Sequence, residues 1–180
     1  FKNCFGLNKL ELNVKRIGPR AFKNCTGLES LDISTSVIKD EAFYGCRNLM
    51  RAKIHGNIQI IPEKAFANCD KLKTVIIPNS VKKISNKAFA NCYNLDNFSA
   101  FGVESIEDYA FCNCEKLISI NLGSNLKYLS VNAFENCPNL RFVTAPENFR
   151  KYFEDKKIFF ISSQEYSNNI KKIDNNSKEG

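Results

Sequence analysis

Ala65-Phe66-Ala67-Asn68-Cys69-Asp70-Lys71-Leu72-Lys73-Thr74-Val75-Ile76-Ile77-Pro78 is one copy of a unit that recurs along most of the chain. With the Phe as position zero, Phe1, Phe22, Phe43, Phe66, Phe89, Phe111 and Phe134 mark the copies, in steps of 21, 21, 23, 23, 22 and 23 residues. A Cys follows each Phe by three residues (Cys4, Cys25, Cys46, Cys69, Cys92, Cys114, Cys137), and a Leu follows by six (Leu7, Leu28, Leu49, Leu72, Leu95, Leu117, Leu140). A fixed period of about 20–50 residues is the mark of a solenoid, and it outranks local propensity. One unit of this size cannot bury its apolar face alone, so the array is the folding unit.

Each unit divides into three parts. Positions +9 and +11 are apolar in every copy, as in Leu10/Leu12, Val75/Ile77 and Ile120/Leu122. That alternation sends one strand face inward, and successive strands should stack as a parallel sheet. A connection follows, with apolar points at Ile17, Ile38, Ile61, Ile84, Ile106 and Leu129, five residues before the next Phe. The copy that closes at Phe43 is two residues short there, which predicts a tightened turn at Ser34-Thr35-Ser36. The third part leads into Ala-Phe through segments such as Pro62-Glu63-Lys64 and Ser130-Val131-Asn132. Ser, Pro and acid at these positions suit an N-cap and a first helical turn. Position +2 reads Asn3, Asn24, Gly45, Asn68, Asn91, Asn113 and Asn136, the composition of a residue held at φ > 0, so such a helix must be short.

Composition excludes several classes. The 180 residues carry a formal net charge of +7 from 26 basic and 19 acidic side chains. Residues 1–147 hold 19 and 14 of these and residues 148–180 hold 7 and 5, so the excess is spread along the chain and no nucleic-acid patch is indicated. No apolar run is long enough to span a membrane, and no signal-peptide core is present. The chain starts at Phe1, inside a repeat and without Met, as expected of a processed chain, a fragment or the ordered part of something longer. Seven of the 8 cysteines occupy one position per coil. Equivalent side chains of stacked coils point in parallel toward the core, so a ladder of reduced thiols is expected, with the off-register Cys112 more accessible.

Beyond Pro146 the pattern breaks. Phe149, Tyr152 and Phe153 have helical spacing, and Ile158-Phe159-Phe160-Ile161 reads as a short strand. Residues 147–166 are therefore expected to cap the array of residues 1–146. Residues 167–180, rich in Asn, Lys and Ser, are expected to form a polar tail or linker.

The consensus Ile-x-x-x-Ala-Phe-x-Asn-Cys-x-x-Leu-x-x-Ile-x-Ile-Pro-x-x-Val resembles the BspA-like class of leucine-rich repeats over residues 1–146. The resemblance implies an α/β leucine-rich-repeat solenoid, a curved right-handed coil with a parallel β-sheet on one face and short helices or turns opposite. It also implies a cell-surface or secreted protein of bacteria or parasitic protists that binds host matrix proteins or other cells. It carries no catalytic residues. This chain departs from the pattern in having Asn where many copies have Gly, and in keeping the Ile-Pro step fully only at Ile77-Pro78.

Binding residues are then sought among the solvent-facing strand positions +8 and +10. Lys9, Glu11, Asp32, Arg51, Lys53, Thr74, Ile76, Asn97, Ser99, Asn121 and Phe142 form a grid there, in a row that ends at Thr144. Arg51, Ile76 and Phe142 are of the types that anchor interfaces. Phe22, Phe43, Phe66, Phe89, Phe111 and Phe134, with Cys25, Cys46, Cys69, Cys92, Cys114 and Cys137, are read as a structural ladder. His55 is the only His and stands beside Gly56-Asn57, which leaves little on which to build a catalytic triad. One Cys per coil lacks zinc-ligand clustering, and no Gly-rich phosphate loop occurs. A non-enzymatic, cofactor-free protein-binding module is therefore expected, with an intracellular scaffold or structural spacer as the other reading.

Overall fold

A computed structural model describes residues 1–176, and these build a parallel-strand solenoid of about seven coils. Each coil has a long and a short strand: β1 (Lys9–Asn13) and β2 (Arg16–Ile17), β3 (Ser30–Ser34) and β4 (Val37–Ile38), β5 (Arg51–His55) and β6 (Ile60–Ile61), and β7 (Thr74–Ile76) and β8 (Lys83–Ile84). The same pair recurs as β9 (Asn97–Ser99) and β10 (Ser105–Ile106), then β11 (Ser119–Asn121) and β12 (Tyr128–Leu129), before β13 (Phe142–Ala145). The long strands pair in register, Lys9 beside Ser30 and Ser30 beside Arg51, so equivalent positions of the unit are neighbours in space. The inward positions from Leu31 and Ile33 to Val143 and Ala145 are buried as alternation requires, except Ile77, which is half-buried. The short strands were not legible as strands, because two residues show no period. Their inward residues, Ile17, Ile38, Ile61, Ile84 and Ile106, are buried at the expected points.

The segment around each Phe is a chain of turns. The helical turn expected there is absent, and the helices among the described residues lie beyond Ala145. Position +2 has positive φ in every coil, from 56° at Asn136 to 71° at Gly45. The left-handed residue at −2 was not foreseen: Arg20, Glu41, Lys64, Lys87 and Tyr109 have φ between 52° and 57°. A left-handed residue on each side of the Phe stops a helix, and it turns alternate N–H groups toward the neighbouring coil. Phe22, Phe43, Phe66, Phe89 and Phe111 donate to Ala42, Ala65, Ala88, Ala110 and Ala133 of the next coil at 2.8–2.9 Å. Position +2 repeats the bond, as Gly45 to Ala67 and Asn68 to Ala90, both at 2.9 Å. The intervening N–H groups close turns within their own coil, as Cys25 to Phe22 at 3.2 Å.

Side chains extend this ladder. The seven Phe rings stack at centroid spacings of 5.2–5.5 Å, with planes within 16° of parallel. The amide of Asn91 donates to Asn68 at 2.6 Å and accepts from Asn113 at 2.6 Å, and Asn136 continues the row at 3.0 Å. At Gly45, which has no side chain for the row, a Cβ would stand 2.2 Å from Asn24 Oδ1, and Asn68 instead donates to the Tyr44 hydroxyl at 2.7 Å. All eight cysteines are free, and each register thiol from Cys25 to Cys137 donates to the carbonyl of a Phe in an earlier coil, as Cys92 to Phe66 at 3.3 Å. Cys112 is half-buried, but so are Cys4 and Cys137, so it is not the single accessible thiol.

Both sheets are interrupted, at different coils. The short strands form β2-β4 and β6-β8-β10-β12, with a break between β4 and β6. At other steps position −4 donates to position −5 of the preceding coil: Lys39 to Ile17, Ser85 to Ile61, Glu107 to Ile84 and Ser130 to Ile106. The residue that would donate to Ile38 is Pro62, which has no N–H. The expected tightening at Ser34-Thr35-Ser36 lies in the same region. Thr35 is buried, its Oγ1 donates to Lys15 at 3.3 Å, and Gly56 (φ 92°) passes so close that a Cβ would lie 2.4 Å from the Thr35 carbonyl oxygen. The long strands form β1-β3-β5-β7 and β9-β11-β13-β14, where β14 is Phe159–Ser162. The continuous sheet expected from the pattern thus divides between β7 and β9.

At the C-terminal end, α1 (Arg150–Glu154) places Phe153 against Phe134, with centroids 6.1 Å apart, and β14 pairs with β13 in parallel. Helix α2 (Ser163–Asn176) then crosses the expected start of a tail at 167. A composition low in large apolar residues concealed it; its start is fixed when Glu165 accepts the Ser162 N–H at 2.8 Å. The remainder of the expected tail, 177–180, lies outside the described residues.

Two outcomes follow for stability. Asn91→Ala should cost about 2 kcal/mol in urea denaturation, from left-handed strain and two lost amide bonds, and Asn91→Gly about half of that; equal losses would contradict the backbone account. Burial pushes the Cys46 thiol up to about 12 and raises those of Cys69, Cys92 and Cys114. Unfolded thiols ionise near pH ~8.5 and so lose protons first. Stability should therefore be full below about pH 8.5 and fall above it by about 1.4 kcal/mol per pH unit for each such thiol. Cys46→Ala should flatten that slope by one thiol's share.

Candidate protein-binding face

The outward positions of the long strands fall on one face because strand side chains alternate and the register is exact from β1 to β7. Lys9, Glu11, Asp32, Arg51, Lys53, Thr74 and Ile76 all line one shallow depression of about 340 Å³. Its charges are partly compensated. Lys9 Nζ lies 2.6 Å from Glu11, a hydrogen bond that raises the lysine above its ordinary range. His55 Nε2 approaches Asp32 Oδ1 at 3.1 Å. Arg51 and Lys53 form no ion pair among the described residues. Ile76, 51% exposed, is the apolar point of this patch.

Asn97, Ser99, Asn121 and Phe142 belong to the other sheet, across the break between β7 and β9. The predicted grid is thus two patches. In the second, Asn97 Oδ1 accepts from Ser119 at 2.6 Å and its Nδ2 donates to Asp96 at 3.2 Å, while half-buried Asn121 accepts the Gly123 N–H at 3.1 Å. These amides are held in place by their neighbours. Phe142 remains 51% exposed and meets Phe159, 60% exposed, edge to face at 6.0 Å. Phe159 was missed as a face residue. Its signal was available, since the strand read at Ile158–Ile161 places Phe159 beside Phe142 once it joins the stack. Thr144, expected to face solvent, is buried. Helix α2 leans over this end of the face, where Thr144, Asn121 and Phe101 share a depression of about 310 Å³ with Tyr166 and Ile170.

His55 and Asp32 form the single His–carboxylate contact among the described residues, and both side chains are about half exposed. No group of three His, Cys, Asp or Glu among the described residues could hold a metal ion. No helix among them is long and apolar enough to cross a membrane.

The model of the BspA-type leucine-rich repeat region matches in six copies, over residues 1–101 and 36–164. No curated protein matches the chain. Among solved structures, a leucine-rich repeat protein from Bacteroides ovatus is 32% identical with a TM-score of 0.76, and the match covers 87% of this chain and 42% of that one. The chain thus spans less than half the length of that protein. The pneumococcal vaccine antigen PcpA is 17% identical with a TM-score of 0.58, over 87% of this chain and 56% of that one. A leucine-rich cell surface protein from Faecalibacterium prausnitzii is 20% identical with a TM-score of 0.53, over 87% and 57%. At those lower identities the likeness is one of fold.

Proposed function

The chain belongs to the BspA-type leucine-rich repeat family, and from that premise we propose that it is a non-catalytic recognition module that binds a protein along its long-strand face. The observation that carries this reading is the pair of patches on that face. One combines Arg51 and Lys53, which form no ion pair among the described residues, with exposed Ile76, and the other presents the exposed Phe142–Phe159 pair. Arginine and aromatic anchors beside neutral hydrogen-bonding groups are what protein interfaces favour. A location at the cell surface or outside the cell, with host or neighbouring-cell proteins as partners, draws support from the surface and antigen descriptions of the fold relatives. In this reading residues 147–166 close the last coil: Phe153 and Phe160 are buried, and β14 occupies the edge that β13 would otherwise leave open.

Arg51→Ala/Lys53→Ala/Asn97→Ala/Phe142→Ala should weaken adhesion to immobilised matrix proteins and intact cells by at least about tenfold, with circular dichroism unchanged. Unchanged adhesion would place the binding surface elsewhere on the solenoid.

A further inference from the structure

The break between β7 and β9 is a gap in an otherwise regular row. At position +7 of the unit, each N–H donates to the same position of the preceding coil: Glu29 to Asn8 at 2.8 Å, Met50 to Glu29 at 2.9 Å and Lys73 to Met50 at 2.9 Å. The row resumes with Ile118 to Asp96 at 2.8 Å and Arg141 to Ile118 at 2.9 Å. The step from Asp96 to Lys73 is missing, which leaves the Asp96 N–H and the Lys73 carbonyl without a hydrogen-bond partner among the described residues. An open depression of about 620 Å³ adjoins the Lys73 side of this gap, lined by Met50, Arg51, Lys71, Lys73, Thr74 and Asn94.

Three of those six side chains are cationic and none is acidic. Arg51 and Lys71 form no ion pair among the described residues, and Lys73 has only a loose contact with Asp96 at 3.7 Å. Lys83 and Lys127 are closely matched, with Glu107 and Glu104 at 2.6 Å, whereas the cleft gathers three cations around one opening without a close carboxylate. Met50, 40% exposed, adds an apolar contact between the charges. Unmatched cations, one apolar side chain and a free backbone donor and acceptor together fit an extended chain that carries carboxylates.

We propose that this cleft receives an acidic, extended segment of the partner protein. Its carboxylates pair with Arg51, Lys71 and Lys73, and its backbone bonds to the groups left open at Asp96 and Lys73. The inference rests on the protein-binding reading above and adds to it the chemistry of the partner. A sulfated glycan offers similar charge but has no peptide backbone to meet the open groups and no aliphatic side chain to pack on Met50.

The test is fluorescence anisotropy on the whole chain at low salt, with a fluorescein-labelled octapeptide of alternating Glu and Leu and, separately, a labelled heparin octasaccharide. Lys71→Ser/Lys73→Ser is compared with Lys15→Ser/Lys151→Ser, which removes the same charge from exposed positions outside the cleft. The peptide Kd should rise about tenfold in the cleft variant and less than about twofold in the control. An equal rise in both would reduce the effect to net charge and overturn the proposal. So would an octasaccharide that binds through the cleft while the peptide does not. Adhesion separates the two readings. Loss in the strand-face quadruple variant with none in the cleft variant would reject the acidic segment alone, and no loss in either would reject the protein-binding reading beneath it.

Discussion

The rest of the structure depends on the way each coil turns at its Phe. Left-handed residues at −2 and +2 direct alternate backbone N–H groups out of the coil and onto the carbonyls of the next, while the intervening ones close turns at home. A non-glycine residue in that conformation costs roughly 1–2 kcal/mol. The cost is offset because most of these residues, Arg20, Glu41, Lys64 and Lys87 at −2 and Asn3 to Asn113 at +2, complete an inter-coil hydrogen bond at the edge of a stacked Phe column. Asn at +2 reduces the strain and adds a second row of amide bonds outside the first.

This turn ladder runs through every coil from the first to the last, and neither sheet does. The short-strand sheet stops at Pro62 for want of an N–H, and the long-strand sheet divides between β7 and β9. Because the ladder and the Phe stack hold the coils together at both places, the sheets are free to open without loss of the fold. That division of labour has a functional side. The core residues have no freedom to carry specificity, so the proposed recognition is assigned to the outward strand positions and to the opening where the long-strand sheet is interrupted.

Much of this was legible because repetition sets the same question seven times. The strand positions, the Phe, Cys and Leu rows and the positive φ at +2 were each read from residue types that recur. The left-handed residue at −2 was not, since Arg20, Glu41, Lys64, Lys87 and Tyr109 share no side-chain preference for that conformation; the first four are held in it by hydrogen bonds to the next coil. The break at Pro62 could have been foreseen, because the missing N–H falls at a ladder position. No single residue type marks the gap between β7 and β9. It lies where the inward position +9 changes from Val75 to Phe98, whose ring meets Phe89 and Phe111 at 5.2 and 4.9 Å. The split of the binding grid therefore emerged only from the register of whole strands. Helix α2 was hidden for a different reason, because a polar composition does not reveal a helix whose start is set by a cap and by packing on the last strands.

Native-state hydrogen exchange tests the primacy of the turn ladder most directly. The Phe43, Phe66 and Phe89 amides, with those of Gly45, Asn68 and Asn91, span both sheet breaks and donate across coils at every step. They should exchange only through global unfolding, with equal protection on either side of Pro62 and of the β7–β9 gap. If their protection instead drops at those two places and follows the edges of the sheets, the sheets would be the spine and the turn ladder secondary.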